Sequence, residues 1–113
     1  MAVDEATVQE RLAQVFARQD FFEACKRRDA GAIVRILGAH GITVNCVAPG
    51  LTRTRFTEAD LPEDAFEEVL ARQALPRSLV PDDVAGVVAF LASDAAGAIT
   101  GQTLCADGGS VFA

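Results

Sequence analysis

The sequence predicts an α/β fold in which two short parallel strands, joined by crossover helices, follow an N-terminal helical segment. Three observations support this class. A charge-free run rich in β-branched residues, 42–47, has the composition of a buried strand. Two segments with helical apolar spacing follow it, and a second short strand is expected over residues 103–106. An order of strand, helices and strand is typical of a crossover between parallel strands.

The composition excludes several classes of protein. The 113 residues suit one domain with a modest core, and a hydrophobic fraction of 50% excludes a disordered polar tail. The net charge of −6 arises after residue 40, because residues 41–113 hold ten acidic residues and four arginines. Nucleic acid and anionic membranes are therefore not expected as main partners. The sequence contains no Tyr, which rules out any mechanism that needs a phenol from this chain.

Residues 1–39 are predicted to form the helical N-terminal segment. A first helix is expected over residues 5–18, where apolar residues share one face at Val8, Leu12, Val15 and Phe16. Asp29 is placed to cap a shorter helix over residues 30–37. The apolar face of this segment is expected to pack against the rest of the protein.

The cysteines and the N-terminus indicate the cellular compartment. Cys25, Cys46 and Cys105 are odd in number and lack a C-x-x-C spacing, so we expect reduced thiols that act as small buried residues. No metal site is expected. The first ten residues carry three acids and no apolar run, unlike a signal peptide, and no segment reaches the ~20 apolar residues of a membrane helix. A cytoplasmic protein is therefore expected.

The second part of the chain contains the elements of the crossover. Pro49 and Gly50 end the first strand and a polar loop follows over residues 51–60. Pro62 and Pro81 can each open a helix at its first turn. The last strand, Thr103–Ala106, is expected to end in a tight turn at Asp107-Gly108-Gly109. Two parallel strands leave their faces uncovered, so this part is expected to be the edge of a larger sheet.

Between residues 40 and 109 these turns and helix starts follow one another as a series of motifs. The series comprises Pro49-Gly50 with Thr52 and Thr54, Arg77, Pro81-Asp82-Asp83-Val84-Ala85, Phe90-Leu91-Ala92-Ser93-Asp94, Gly101-Gln102 and Asp107-Gly108-Gly109. In this order they resemble the C-terminal part of the short-chain dehydrogenase/reductase family. The resemblance implies an incomplete Rossmann-like edge over residues 40–113, behind an unrelated helical segment over residues 1–39.

The resemblance also implies a cofactor site. In that family the P-G turn lies beside the nicotinamide end of NAD(P), and the matching residues here are Pro49, Gly50, Thr52 and Thr54. Backbone groups around Thr52 would meet the carboxamide, and Thr54 would contact the amide or the pyrophosphate. The implied cofactor is NAD or NADP, and the implied reaction is hydride transfer to or from a carbonyl or alcohol.

Other parts of the family's machinery have no counterpart in this sequence. No glycine-rich phosphate loop precedes the first strand. The family's Y-x-x-x-K positions, counted back from Gly41, fall on Gln19 and Glu23. Lys26 has the spacing of the family's lysine relative to Phe22, but Phe22 lacks the hydroxyl of the family's tyrosine. We assign no catalytic residue, and we expect a truncated or chimeric family member that neither binds NAD(P) nor acts as an enzyme alone.

Two alternative functions remain open. The first is an interaction module or homo-oligomer built on the unpaired sheet edge and the apolar side of the last helix, at Val84, Val87, Val88, Phe90 and Leu91. The second is a regulator fragment fused to the dehydrogenase-like part, because residues 21–36 faintly resemble the helical lead-in of helix-turn-helix proteins. No recognition helix follows, and the basic run 26–28 is flanked by acids, so no DNA-contacting residue is assigned.

Overall fold

A computed structural model of the chain describes residues 4–111. The elements in this range are α1 (Glu5–Phe16), α2 (Gln19–Lys26), α3 (Ala30–Gly38), β1 (Cys46–Pro49), α4 (Arg55–Asp60), α5 (Glu63–Arg72), α6 (Pro81–Leu91), a 3₁₀ turn (Asp94–Ala96) and β2 (Thr103–Ala106). The strands pair in parallel, so the predicted α/β class with crossover helices is confirmed. No helix in the described range combines the length and apolarity needed to cross a membrane.

The described residues divide into two compact units. The first comprises residues 4–45 and 93–102, and the second comprises residues 46–92 and 103–111. The first unit contains α1 to α3 and the 3₁₀ turn, whereas the second contains both strands and α4 to α6.

Side-chain caps begin two of the helices in the first unit. Asp4 accepts a hydrogen bond from the Thr7 N–H at 2.8 Å, and Asp29 accepts one from the Ala32 N–H at 3.0 Å, which confirms the predicted cap of α3. The first helix ends at Phe16, before the predicted end at residue 18, and the Phe16 side chain is 54% exposed. Its predicted face is therefore only partly a packing face.

Asn45 joins two loop segments of the first unit, just before β1 and β2 in the chain. Its Nδ2 donates to the Ile99 carbonyl and its Oδ1 accepts from the Gln102 N–H, both at 3.0 Å. Beside it, the Val44 carbonyl accepts from the Gly101 N–H at 2.8 Å. Gly101 has a φ of 71°, a backbone angle that favours glycine. The two segments thus satisfy each other's polar groups.

The first strand differs from its prediction in position and burial. It runs over Cys46–Pro49, not over residues 42–47, because Val44 and Asn45 bond to the loop before β2. Its ends are exposed and its middle is half-buried. A strand in a two-stranded sheet has few neighbours, so a composition typical of a buried strand does not make this one buried.

The prediction that the cysteines are buried is wrong. Cys25, Cys46 and Cys105 are all exposed. The strand register pairs Cys46 with Thr103 and Cys105 with Ala48, so both thiols lie on one face of the sheet. Neither strand pairs with a third within the described range, and positions that would be interior in a wider sheet therefore stay at the surface.

The turn after β2 confirms the prediction of a tight turn. Asp107 Oδ1 accepts from the Gly109 N–H at 3.0 Å, and the Gly108 carbonyl accepts from the Leu75 N–H at 2.9 Å. Gly108 and Gly109 have φ of 67° and 80°. A Cβ on Gly109 would lie 2.8 Å from the Cβ of Ala74, so both conformation and space require glycine there.

Replacing Asn45 with Ala is expected to lower the free energy of unfolding by about 1–3 kcal/mol, because the Ile99 carbonyl and the Gln102 N–H lose their partner. The matched control is Gln102→Ala, since the Gln102 side chain makes only an exposed bond to the Thr100 carbonyl. Urea unfolding followed by circular dichroism measures both variants. Equal losses in the two would contradict the role given to Asn45.

Candidate functional site

A groove of about 600 Å³ in the second unit has the end of β1 and its following loop on one side and α6 on the other. Its lining residues are Pro49, Thr52, Thr54, Pro81, Val84, Ala85, Val88 and Ala89. The lining is apolar except for two threonines. The groove brings together three of the four residues that the sequence predicts at a cofactor site.

Gly50, the fourth of these residues, does not line the groove. A Cβ at this position would lie 2.8 Å from the Asp107 Cα and 3.1 Å from the Leu79 Cδ1. The Gly50 N–H donates to the Ala106 carbonyl at 3.0 Å, which extends the pairing of the two strands by one residue. Gly50 therefore has a packing role that explains glycine without any ligand.

Thr54 caps a helix that the sequence analysis did not predict. Its Oγ1 accepts from the Thr57 N–H at 3.0 Å, and the Thr57 Oγ1 accepts from the Thr54 N–H at 2.9 Å. The Thr57 hydroxyl donates in turn to the Thr52 carbonyl at 2.7 Å. This T-x-x-T spacing was the signal for α4, since threonine is a good N-cap. The Thr54 Oγ1 also lies 3.2 Å from the Thr57 Oγ1, which can take the Thr54 proton. The Thr54 oxygen and the Thr52 carbonyl each keep a lone pair that can accept from a ligand.

Arg53 anchors the loop between these two threonines. Its N–H donates to the Leu79 carbonyl at 2.8 Å, and its Nε donates to the Ser78 Oγ at 3.0 Å. Both terminal nitrogens donate to the Glu63 carboxylate, with Nη1 at 3.2 Å. The guanidinium carbon lies 4.1 Å from the ring centroid of Phe66, which is 4% exposed. Arg53 therefore holds the loop over residues 52–54 in place beside the groove.

Sequence reasoning missed Arg53. Its hydrogen-bond partners lie on α5 and before α6, and only the 3.6 Å ion pair with Glu58 is local. The hydrogen bonds from Arg53 hold the pKa of Glu63 below its usual value, and the same pair raises the pKa of the arginine. A basic residue followed ten positions later by the acidic start of a helix was the only available signal.

The start of α6, which forms one wall of the groove, is fixed by a second ion pair. The Asp83 carboxylate accepts two hydrogen bonds from the Arg77 guanidinium, at 2.8 and 2.9 Å, and another from the Val80 N–H at 2.8 Å. These bonds lower the pKa of Asp83 to about 2, and the hydrogen bonding from Arg77 is the largest cause. Arg77 and Asp83 therefore act in helix initiation.

Gln19 and Glu23, the positions reached by counting back from Gly41 to the family's catalytic pair, lie on α2 in the first unit. The Gln19 Nε2 donates to the Glu23 Oε1 at 2.9 Å, so the two side chains bind each other. The Lys26 ammonium lies 3.3 Å from the same oxygen, and its side chain is 71% exposed. Lys26 is a surface residue.

Comparisons with known proteins find reductases and dehydrogenases. A family model described as Enoyl-(Acyl carrier protein) reductase matches residues 32–111. The chain is similar to (2S)-[(R)-hydroxy(phenyl)methyl]succinyl-CoA dehydrogenase subunit BbsD of Thauera aromatica, with 49% identity over 68% of this chain and 31% of that protein. It is 40% identical to the acetoacetyl-CoA reductase of Shinella zoogloeoides, over 80% of this chain and 39% of the reductase.

Among solved structures, a blue fluorescent protein from a metagenomic library, in complex with NADPH, is 40% identical with a TM-score of 0.65. That match covers 80% of this chain and 35% of the other. The chain thus spans roughly a third of the length of the relatives it matches, at 31% and 39% of the two curated ones.

Replacing Asp83 with Asn is expected to lower the melting temperature at pH 7. The folded pKa of about 2 lies below the ordinary value of about 3.9, so the Asp83 pair stabilises the protein above pH ~4 and loses this effect as the pH falls through ~2. The difference in melting temperature between wild type and Asp83→Asn should therefore shrink between pH 4 and pH 2.

Thermal unfolding at several pH values measures this difference, with Asp82→Asn as the control in the same helical turn. A wild-type-to-variant difference that is independent of pH below 4 would be inconsistent with the ion pair.

Proposed function

The chain belongs to the short-chain dehydrogenase/reductase family, and from this premise we propose that its groove is the nicotinamide-side rim of an NAD(P) site. The observation that supports the proposal is the convergence of Pro49, Thr52 and Thr54 on one groove. Gly50, between them in the chain, packs against Asp107 with no room for a Cβ. The proposed cofactor is NAD or NADP.

The residues present fit the nicotinamide end of such a cofactor. The N–H groups of a carboxamide need acceptors, and the Thr52 carbonyl and the Thr54 Oγ1 each keep a lone pair that could accept from them. Pro81, Val84 and Val88 supply an apolar wall that would exclude water from one side of a planar ring. When bound, the cofactor supplies the hydride exchange with a carbonyl or alcohol. Arg53 holds the loop in place for this contact.

We further propose that this chain does not catalyse the reaction alone. A proton donor with the pKa of a phenol is missing, since the sequence has no Tyr and the positions counted back from Gly41 hold Gln19 and Glu23. No glycine-rich loop is present to cradle the pyrophosphate. Both functions would have to come from polypeptide that the relatives possess and this chain does not match.

The purified chain is expected to show no NADPH oxidation with acetoacetyl-CoA, the substrate named for one relative. Absorbance at the NADPH band measures the rate, and Thr54→Ala serves as the matched control for the groove. A rate that clearly exceeds that of Thr54→Ala would overturn the proposed inactivity.

A homo-oligomer formed through α6 and β2 is a second proposal. Along α6, Val88 and Phe90 are 50% and 44% exposed, whereas the other apolar residues of the predicted interface, Val84, Val87 and Leu91, are half-buried. In the described range β2 pairs only with β1, which leaves one edge of β2 for a second copy. Phe90 points about 160° away from Val88 around the helix, so it lies on the side opposite the groove.

Sedimentation at micromolar concentration is expected to show dimers or larger species, and Phe90→Asp should shift them toward monomer. Phe56→Asp is the control, because Phe56 is 75% exposed and lies on α4. Monomers of the wild-type chain at this concentration would exclude the oligomer.

A further inference from the structure

A second pocket lies in the first unit, between α1 and the segment that follows α3. It encloses about 280 Å³ and is lined by Val8, Arg11 and Leu12 of α1 and by residues 41–43. The three helical residues share one face, because they are three and four positions apart. All the lining residues belong to the first unit, whereas the groove of the proposed cofactor site belongs to the second.

Arg11 gives this pocket a positive charge. Its side chain is half-buried, and within the part of the chain that the structure describes it makes no ion pair and no side-chain hydrogen bond. The positions one turn away on α1 hold Thr7, Val8, Gln14 and Val15, so no carboxylate lies at helical spacing from it. The five N–H donors of the guanidinium are therefore left to solvent or to a ligand.

Gly41 leaves one side of this guanidinium uncovered. It has a φ of 71°, and a Cβ there would lie 3.4 Å from the Arg11 Nη1. The guanidinium thus lies against a residue without a side chain. Apolar side chains of Val8, Leu12 and Ile42 supply the rest of the wall, and Val8 is 40% exposed. The pocket therefore combines one unpaired cation with an open apolar surface.

We propose that this pocket binds a small monocarboxylic acid that carries an apolar chain. The Arg11 guanidinium would donate paired hydrogen bonds to the carboxylate, a geometry for which its planar fork is suited. Val8 and Leu12 are one helical turn apart, about 6 Å along α1, so a chain of about six carbons suits the apolar wall. A volume near the lower end of the ~300–1,000 Å³ typical of ligand sites also favours a small molecule.

Charge complementarity selects this class of ligand over others. A neutral apolar molecule would leave the Arg11 donors without an acceptor and remove water from them, which is unfavourable. A polyanion would meet one cation here and a net charge of −6 on the whole chain. A single carboxylate on an apolar chain satisfies both the guanidinium and the apolar wall.

The proposed site is independent of the cofactor groove. The family model matches residues 32–111, so the side of the pocket that α1 supplies lies outside the match. Its failure would leave the proposed nicotinamide rim untouched, and the reverse also holds.

Titration of the ¹⁵N-labelled chain with hexanoate tests the proposal. Saturable shifts are expected at the amides of Gly41 and Ile42, with a Kd on the order of 1 mM. Acetate carries the charge without the chain and hexanol the chain without the charge, so each should bind about tenfold more weakly or less. No saturable shift at about 10 mM hexanoate would overturn the proposal, as would equal affinity for hexanoate and either probe.

Replacing Arg11 with Met keeps a long apolar side chain and removes the charge, and it should weaken hexanoate binding about tenfold. Arg35→Met is the matched control, because Arg35 is exposed on α3 and does not line the pocket. Equal affinities of the two variants would contradict the role given to Arg11.

A second pair of variants decides the matter if Arg11→Met does not fold. Val8→Glu places a carboxylate three positions before Arg11, where it can pair with the guanidinium from within the helix. This variant should lose hexanoate binding. Gln9→Glu adds the same charge at an exposed position that does not face Arg11, and it should bind like the wild type. Unchanged binding in Val8→Glu would refute the site.

Discussion

The parallel pairing of β1 with β2 is the constraint on which the candidate site depends. The Gly50 N–H adds one bond to this pairing, and a Cβ on Gly50 would lie 2.8 Å from the Asp107 Cα, so only glycine fits there. The chain therefore leaves β1 in one direction, toward α6. Thr52 and Thr54, which follow directly, line the groove. Gly50 therefore supports the site by its packing against Asp107, although it does not line the groove.

Arg53 holds the loop after β1 in place. One residue binds the Leu79 carbonyl, the Ser78 hydroxyl and the Glu63 carboxylate, and its guanidinium covers the Phe66 ring. Exposed ion pairs alone contribute little, but a network that includes backbone and a buried ring restricts the loop more strongly. The site is therefore preorganised on its loop side and open along α6. A rim of this kind can orient one end of a ligand, and the proposed function assigns phosphate binding and proton transfer to groups outside it.

Sequence reasoning succeeded where local chemistry decides the structure. Proline at the first turn marked α6, the Asp29 cap marked α3, and β2 lies where its residues predicted it. It failed where distant neighbours decide. Residues 42–47 look like a buried strand, yet only Cys46–Pro49 pairs, because the length of a strand is set by its partner. Arg53 could not be recognised either, since most of its partners are 10 to 26 positions away. The family resemblance, by contrast, depended on motifs in order, and the comparisons confirm it.

The central claim is that this chain presents the nicotinamide-side rim of a redox fold without the means to hold the cofactor by itself. Isothermal titration of the purified chain with NADPH tests this claim most directly. The account predicts no saturable heat up to millimolar cofactor, because apolar contacts and two hydrogen-bonding groups at one end do not replace a phosphate-binding loop. Saturable binding with a micromolar Kd would contradict it.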